Sequence, residues 1–327
     1  MPRFAWTPVR WLGLVALIAL AIAPVPARAQ ADNYPNQPIR IVVPFAPGGS
    51  VDILARAVGQ KLQEKWGQPI LVENRAGGST MIGTAYAAKA PADGHTLIIV
   101  VSNHATNPAL YNDIPYDAFG SFAPVTLMAR APVVLYAHPS LKAADLKELI
   151  ALAREKPGAL SFGSAGSGSM THMTAELLKM RAGIDMTHVP YRGGAAALKD
   201  LLGGHIPMQF GTVSQALPQY QSGQLRALAI SSAERYRAMP DVPTFKEQGV
   251  DVTVIEWYGL LAPAGTPQPI IAKLNAEVRR ILALPDLGER VSSVELVGST
   301  PDELGRFIRG EVERWTPIIK ALKIKAD

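Results

Sequence analysis

The 327-residue chain contains no cysteine. That excludes disulfides, thiolate-held metals and a cysteine nucleophile, so the fold relies on its core alone. Charge is sparse, with 18% charged residues against 48% hydrophobic ones, which marks a globular chain and not a disordered one. Several motifs are missing as well. There is no G-x-x-x-x-G-K-[ST] and no G-x-S-x-G, and the pair Gly166-Ser167-Gly168 does not continue into G-x-G-x-x-G because Thr171 stands at the last position. The histidines His95, His104, His138, His172, His188 and His205 form no H-x-H or H-x-x-x-H pair and have no carboxylate cluster beside them, so no metal and no cofactor is expected. Outside the first thirty residues no uncharged apolar run approaches a membrane span.

Those first residues read as a secretory signal peptide. Arg3 and Arg10 precede an apolar stretch, Leu12 to Ile22, and Ala27-Arg28-Ala29 forms a small-x-small cleavage site. No cysteine follows for lipid attachment, and the arginines are not paired. The segment carries three arginines and no acid, so its removal lowers the formal charge from +5 to +2. Such a weak positive balance gives no nucleic-acid footprint.

The most informative stretch comes next: Ile39-Arg40-Ile41-Val42-Val43-Pro44-Phe45-Ala46-Pro47-Gly48-Gly49-Ser50-Val51-Asp52. A β-branched run stops at Pro and Gly, and a helical pattern follows. Strand, tight turn and helix start together leave free N–H groups pointing one way, which suits an anion. The plainer reading is an ordinary strand–helix connection with a Gly-Gly turn. Similar units follow, with strands at 70–73 and 96–102 and helices near 51–65 and 80–89. This alternation predicts a parallel sheet whose turns converge on one edge. Beyond extended segments at 125–128 and 133–136, a second series begins, with helices at 144–155, 170–180 and 195–202 and strands at 160–163, 207–211 and 225–231. An extended stretch at 253–261 and helices at 269–284 and 301–323 close the chain. Two similar-sized lobes are expected, with the C-terminal helices returning to the first. The boundaries are 1–29 for the signal peptide, 30–124 plus 250–327 for lobe 1 and 125–249 for lobe 2.

The second series has its own Gly/Ser turn, Ser164-Ala165-Gly166-Ser167-Gly168-Ser169, before a helix. Two such helix starts from two lobes could hold a carboxylate across a cleft. Ser169 and His172 are three apart on one helix, which raises a Ser/His hydrolase as a rival; support of the turn is the plainer role for His172. Asp52 suits a helix-start acid better than a base. Tyr191-Arg192-Gly193-Gly194 offers either a guanidinium or a third set of N–H groups.

Taken in order, the motifs Pro38-Ile39-Arg40-Ile41-Val42-Val43-Pro44-Phe45, Val72-Glu73-Asn74-Arg75-Ala76-Gly77-Gly78, Asp93-Gly94-His95-Thr96-Leu97, Gly163 through Ser169 with His172, Val189-Pro190-Tyr191-Arg192-Gly193 and Trp257-Tyr258-Gly259-Leu260-Leu261-Ala262-Pro263-Ala264-Gly265-Thr266-Pro267 resemble one family. This is the Bug receptors, the extracytoplasmic substrate-binding proteins of tripartite tricarboxylate transporters. The resemblance covers almost the whole mature chain. It implies an α/β, two-lobed periplasmic binding protein of the Venus-flytrap type, with a mostly parallel sheet in each lobe and a hinge of crossing strands. It implies a periplasmic, monomeric receptor for a small organic anion that meets membrane transporter subunits and is not an enzyme. An amino acid or aromatic acid as ligand, and a role as sensor for a membrane kinase, stay open. The family's ligand loops fall on Pro47, Gly48, Gly49, Ser50 and Asp52; on Ser79 and Thr80; on Ser102, Asn103 and His104; on Ser164, Gly166, Gly168, Ser169 and His172; on Tyr191, Arg192, Gly193 and Gly194; and on Thr212, with contacts made largely through backbone and water. The family usually carries Asp or Asn after the strand at 207–210. Gly211-Thr212-Val213-Ser214 has neither, which favours a plain carboxylate over an amino acid.

Overall fold

The computed structural model describes residues 33–322 and Ile324. The signal-peptide reading of residues 1–29 lies outside them. Ile39–Val43 (β1), Ile70–Asn74 (β2) and Thr96–Val101 (β3) pair in parallel, with Ile41 opposite both Val72 and Leu97. Their β-branched residues are buried because helices cover both faces: Ser50–Trp66 (α1) lies on one and Met81–Ala88 (α2) on the other. Asn103–Leu110 (α3) follows β3 directly. The sequence pattern at 102–107 reads as a turn, because the segment is polar and runs into Pro108. Tertiary packing, with Asn103 through Asn107 all buried, overrides that local preference.

The two extended segments expected at 125–128 and 133–136 are one strand, Phe122–Ala137 (β4). Residues 122–132 of β4 run antiparallel to Ile255–Pro263 (β9), which also pairs with β3. Residues 133–137 leave that sheet and pair with Met208–Thr212 (β7) and Arg226–Ile230 (β8). Register shifts between Pro124 and Thr126 and between Leu127 and Ala129 bend the strand, which lets it serve two sheets. The second sheet is completed by Ser161–Ser164 (β5), parallel to both β7 and Thr187–Pro190 (β6). Between its strands lie Leu146–Glu155 (α4), Met170–Ala182 (α5), Gly194–Leu202 (α6) and Val213–Gln221 (α7). The pattern does not reveal α7, which contains Pro218.

One apolar cluster gathers Ile41, Leu54, Leu97, Tyr258 and Leu274, and another gathers Leu135, Phe162, Met173, Phe210 and Phe245. Each such side chain contributes about 1.5–3 kcal/mol on burial. Gln268–Leu282 (α8), Pro285–Arg290 (α9), Glu295–Leu296 (β10) and Pro301–Ala321 (α10) end the chain. The last helix does not stay with one core. Leu304 and Ile308 pack beside Val42 and Trp257, whereas Trp315 and Ile319 join the cluster of Phe162 and Phe210. It is therefore a third link beside β4 and the segment that enters β9. No helix among the described residues is long and apolar enough to cross a membrane.

Candidate functional site

The strand ends of both sheets open onto one cavity of about 380 Å³. One wall comes from the turn after β1. Gly48 has φ +90°, which a side chain at that position would strain, and Gly49 caps α1 without any side-chain hydrogen bond. The first N–H groups of α1 therefore have no side-chain acceptor. Asp52 ties this turn from beneath. It accepts from the Gly48 N–H at 3.0 Å, from Arg56 at 2.9 and 3.0 Å and from Asn74 at 2.9 Å. Burial alone would raise its pKa, but those donors outweigh burial and hold the carboxyl below its usual range. Ser50 and Tyr258 join hydroxyls at 3.0 Å across the strand ends.

The facing wall starts where β6 ends. Tyr191 donates its hydroxyl to Asp200 at 2.7 Å and so turns away from the opening; burial, with help from that carboxylate, pushes the phenol up to about 12. Gly193 has φ +112° and caps α6, again with no side-chain acceptor for its N–H groups. A Cβ on Gly194 would sit on the Gln215 amide, which fixes glycine there. Arg192 is exposed at the rim with no partner among the described residues. Thr212, Ser214 and Gln215 add a third side, and the Gln215 side chain accepts from the Thr212 N–H at 3.1 Å. Phe45, Val51, Val101, Ala165, Ala195, Ala196 and Leu198 make much of the lining apolar.

Of the residues expected from the sequence, Pro47, Gly48, Gly49, Ser50, Arg192, Gly193, Gly194 and Thr212 line this cavity. The others lie behind it, each for a visible reason. Asp52 and Tyr191 fold back as described. Ser102 caps α3 and donates to Glu256 at 2.6 Å, and Asn103 is buried in the first turn. His104 is buried against Tyr116 and Phe122 with Nε2 on the Ala118 carbonyl at 2.8 Å; desolvation depresses it to about 4, so it stays neutral. Ser79 and Thr80 adopt positive φ, held by Tyr111 on the Ser79 hydroxyl and Asn107 on its carbonyl.

The Ser164–Ser169 turn consumes its own donors. Gly166 N–H donates to Ser164 Oγ at 3.1 Å, Ala165 N–H to Thr171 Oγ1 at 2.9 Å and Gly168 N–H to His172 Nδ1 at 3.2 Å. Ser169 accepts from the His172 N–H and donates to the Gly166 carbonyl at 2.6 Å. The His172 ring does not act on Ser169; it stacks on His188 at 3.8 Å. A serine–histidine contact does exist, Ser164 Oγ to His188 Nε2 at 2.6 Å, but Ser164 is fully buried and off the cavity wall, so it supports the turn. The turn also meets the other half of the molecule, since Thr106 donates to the Gly168 carbonyl at 2.8 Å. Ala165 and Thr171 alone bring this region to the cavity.

Glu256, Tyr258, Ser214 and Gln215 also line the cavity, and no local sequence signal marks them as site residues. Trp257 is core, whereas Tyr258 both packs in a core cluster and lines the cavity. Nothing local distinguishes Glu256, because its partner Ser102 is 154 residues away.

The model of a family described as "Tripartite tricarboxylate transporter family receptor" matches residues 54–324. BugT of Bordetella pertussis is 37% identical over 308 residues, 93% of this chain and 94% of its own. A Rhodopseudomonas palustris protein solved with adipate is 34% identical, with a TM-score of 0.86 over 90% of this chain and 100% of its own. MatC from the same organism, solved with bound malate, is 33% identical, with a TM-score of 0.82 over 88% and 100%.

Proposed function

Since this chain belongs to the tripartite tricarboxylate transporter receptor family, whose members are periplasmic solute-binding proteins and not enzymes, we propose that its two halves are lobes that close on a small dicarboxylate or related organic acid and present it to membrane transporter subunits. The observation that carries this reading is the pair of helix starts, at Ser50 and Gly194, that face one cavity from opposite sides without side-chain caps. Each of these helix N-termini favours an anion by about 0.3–1 kcal/mol, and by up to about 2 when partly buried. The Arg192 charge at the rim adds to the same sign. The ligand spans both walls, so binding favours the closed arrangement about β4, the segment before β9 and α10. The adipate and malate bound by the two neighbours support a carboxylate as the ligand class.

The test is ligand identification. The purified protein is denatured and any released small molecule is identified by mass spectrometry. In parallel, melting is followed against adipate, malate, succinate, citrate, glutamate and benzoate. A true ligand at a hundred times its Kd stabilises by about 2.7 kcal/mol, which moves Tm by several degrees. A flat panel together with no released acid overturns the reading.

A further inference from the structure

Glu256 stands on the cavity wall where β9 begins, and it is only 7% exposed. Its oxygens are used unequally. Oε1 accepts from Ser102 Oγ at 2.6 Å, from Ser102 N–H at 3.2 Å and from Trp257 N–H at 3.2 Å. Oε2 has no partner among the described residues. A proton on this carboxyl therefore belongs on Oε2, since Oε1 already serves three donors.

The groups around it bear on its charge. Glu311 on α10, held by Trp315 Nε1 and near Arg314, repels a second anion. Tyr258 on the same strand is a buried neutral phenol, its pKa driven up chiefly by burial. Arg192 lies at the exposed rim, and no lysine, histidine or aspartate is among the described residues lining the cavity. Burial is the dominant influence on Glu256; the Ser102 and Trp257 donors oppose it, Glu311 reinforces it, and the carboxyl is pushed up to about 7.

Resting on the carboxylate reading above, we propose that Glu256 meets the bound ligand as a neutral acid, its Oε2–H donating to a ligand carboxylate oxygen, so that capture takes up one proton from solvent. Two carboxyl groups in hydrogen-bond contact cannot both be ionised without a large electrostatic cost. A ligand carboxylate at this wall therefore stabilises the protonated form of Glu256. The same geometry makes Glu256 a specificity residue: as a donor it rewards an oxygen acceptor and not an ammonium.

The experiment is calorimetric titration of the mature protein with adipate and with malate at pH 6.5, 7.5 and 8.5, a range over which both probes are ionised. Each titration is repeated in two buffers of different ionisation heat, which counts protons. The wild-type affinity is expected to fall about tenfold per pH unit between 7.5 and 8.5, with close to one proton taken up per ligand at pH 8.5. Glu256→Gln keeps an N–H donor that does not titrate, so its binding is expected to lose both the slope and the proton. Wild-type binding without a slope overturns the inference while leaving the receptor reading intact. Affinity that rises with pH also overturns it, because Glu256 would then be an ionised acceptor for a ligand hydroxyl or ammonium. A slope retained in Glu256→Gln places the proton elsewhere and has the same consequence. Absence of binding at every pH, in both proteins, overturns the inference for these two acids, while the carboxylate reading falls only if the wider panel is flat and no acid is released. If the glutamine variant does not fold, Glu256→Asp, which shortens the carboxyl and keeps it titratable, is expected to shift the pH at which the slope begins, and an unshifted slope overturns the inference.

Discussion

Two turns in this molecule look alike in sequence and are used in opposite ways. Both Pro47–Ser50 and Ser164–Ser169 follow a strand, are rich in glycine and serine and open a helix. In the second, serine and threonine hydroxyls and a histidine nitrogen take up the N–H groups, and Thr106 clamps the Gly168 carbonyl from the other half of the chain. In the first, proline and glycine supply no side-chain acceptor, Gly49 caps the helix without a side chain, and among the N–H groups of the turn Gly48 alone meets a side chain, Asp52. The polar-looking turn is thus a joint, and the bland one leaves its donors on the cavity wall. A second helix start without a side-chain cap lines the same cavity at Gly193-Gly194. Side-chain acceptors near a helix start consume the donors that an anion would need.

The comparison breaks most sharply at its glycines. Gly49 has ordinary φ and nothing within 4 Å of an added Cβ except the open cavity. Gly49→Val is expected to lower affinity for adipate or malate by about 100-fold or more, by filling the space, with less than about 1 kcal/mol lost in stability. Gly168 has φ +76°, and its Cβ would press on Leu110. Gly168→Ala is expected to cost about 3 kcal/mol of stability from left-handed strain and overpacking together. Denaturant melts with and without ligand separate the two effects. Equal loss of stability in both variants would erase the distinction between open turn and joint.

Acid should find the joint before the open turn. His188 sits under Ser164, stacked on His172 and near Glu176 and Lys179; desolvation, aided by His172, pushes it down to about 3. His104, buried beside Tyr116, is pushed down to about 4 by desolvation. Both rings must stay neutral in the folded chain, whereas the unfolded chain protonates near pH 6.5. Their contribution is complete above about pH 6.5 and is lost as pH falls below it, by about 3 kcal/mol at pH 4 for His104 and less for partly exposed His188. Glu256 works in the opposite sense. Its folded pKa of about 7 lies above the usual carboxyl value, so its contribution declines as pH rises from about 4.5 to 7. Chemical denaturation of wild type and Glu256→Gln from pH 4 to 8 should show a steeper acid loss in the variant. Parallel profiles would mean that Glu256 does not titrate in that window.

The sequence displays β1 and β3 because β-branched residues flanked by Pro, Gly or Asn have few other uses, and it displays the Pro47–Asp52 turn for the same reason. The long β4 reads as two pieces because Ala129-Arg130-Ala131-Pro132, poor strand formers, separate its two apolar runs. α3 and α7 are hidden by Pro108 and Pro218, which packing tolerates and propensity does not. At the site, the glycines of both cavity-lining turns are legible from local chemistry. The retreat of Ser164, Ser169 and His172 is not, because whether a hydroxyl faces a cavity or its own backbone depends on φ and on neighbours such as Leu110 and Thr106. Glu256 is least legible, since its meaning comes from Ser102 and from a wall assembled out of both halves.

The smallest expected effect tests capping itself. Ser169 accepts from the His172 N–H and donates to Gly166, so Ser169→Ala removes a helix cap and one tie of the joint. About 1 kcal/mol of stability should go, and ligand affinity should change less than threefold, because the residue does not reach the cavity wall. Ser50→Ala removes no cap, only the hydroxyl contact to Tyr258 at 3.0 Å. Stability should drop by about 0.5 kcal/mol. Affinity should drop more than in Ser169→Ala, because Ser50 and Tyr258 both face the cavity and Tyr258 loses the partner that orients its hydroxyl. Measuring both variants by denaturation and by adipate or malate titration ranks the serines twice, once by stability and once by binding. The expected rankings are opposite, and an identical order in both measurements would show that hydroxyl use at the two turns does not separate holding the fold from holding the ligand.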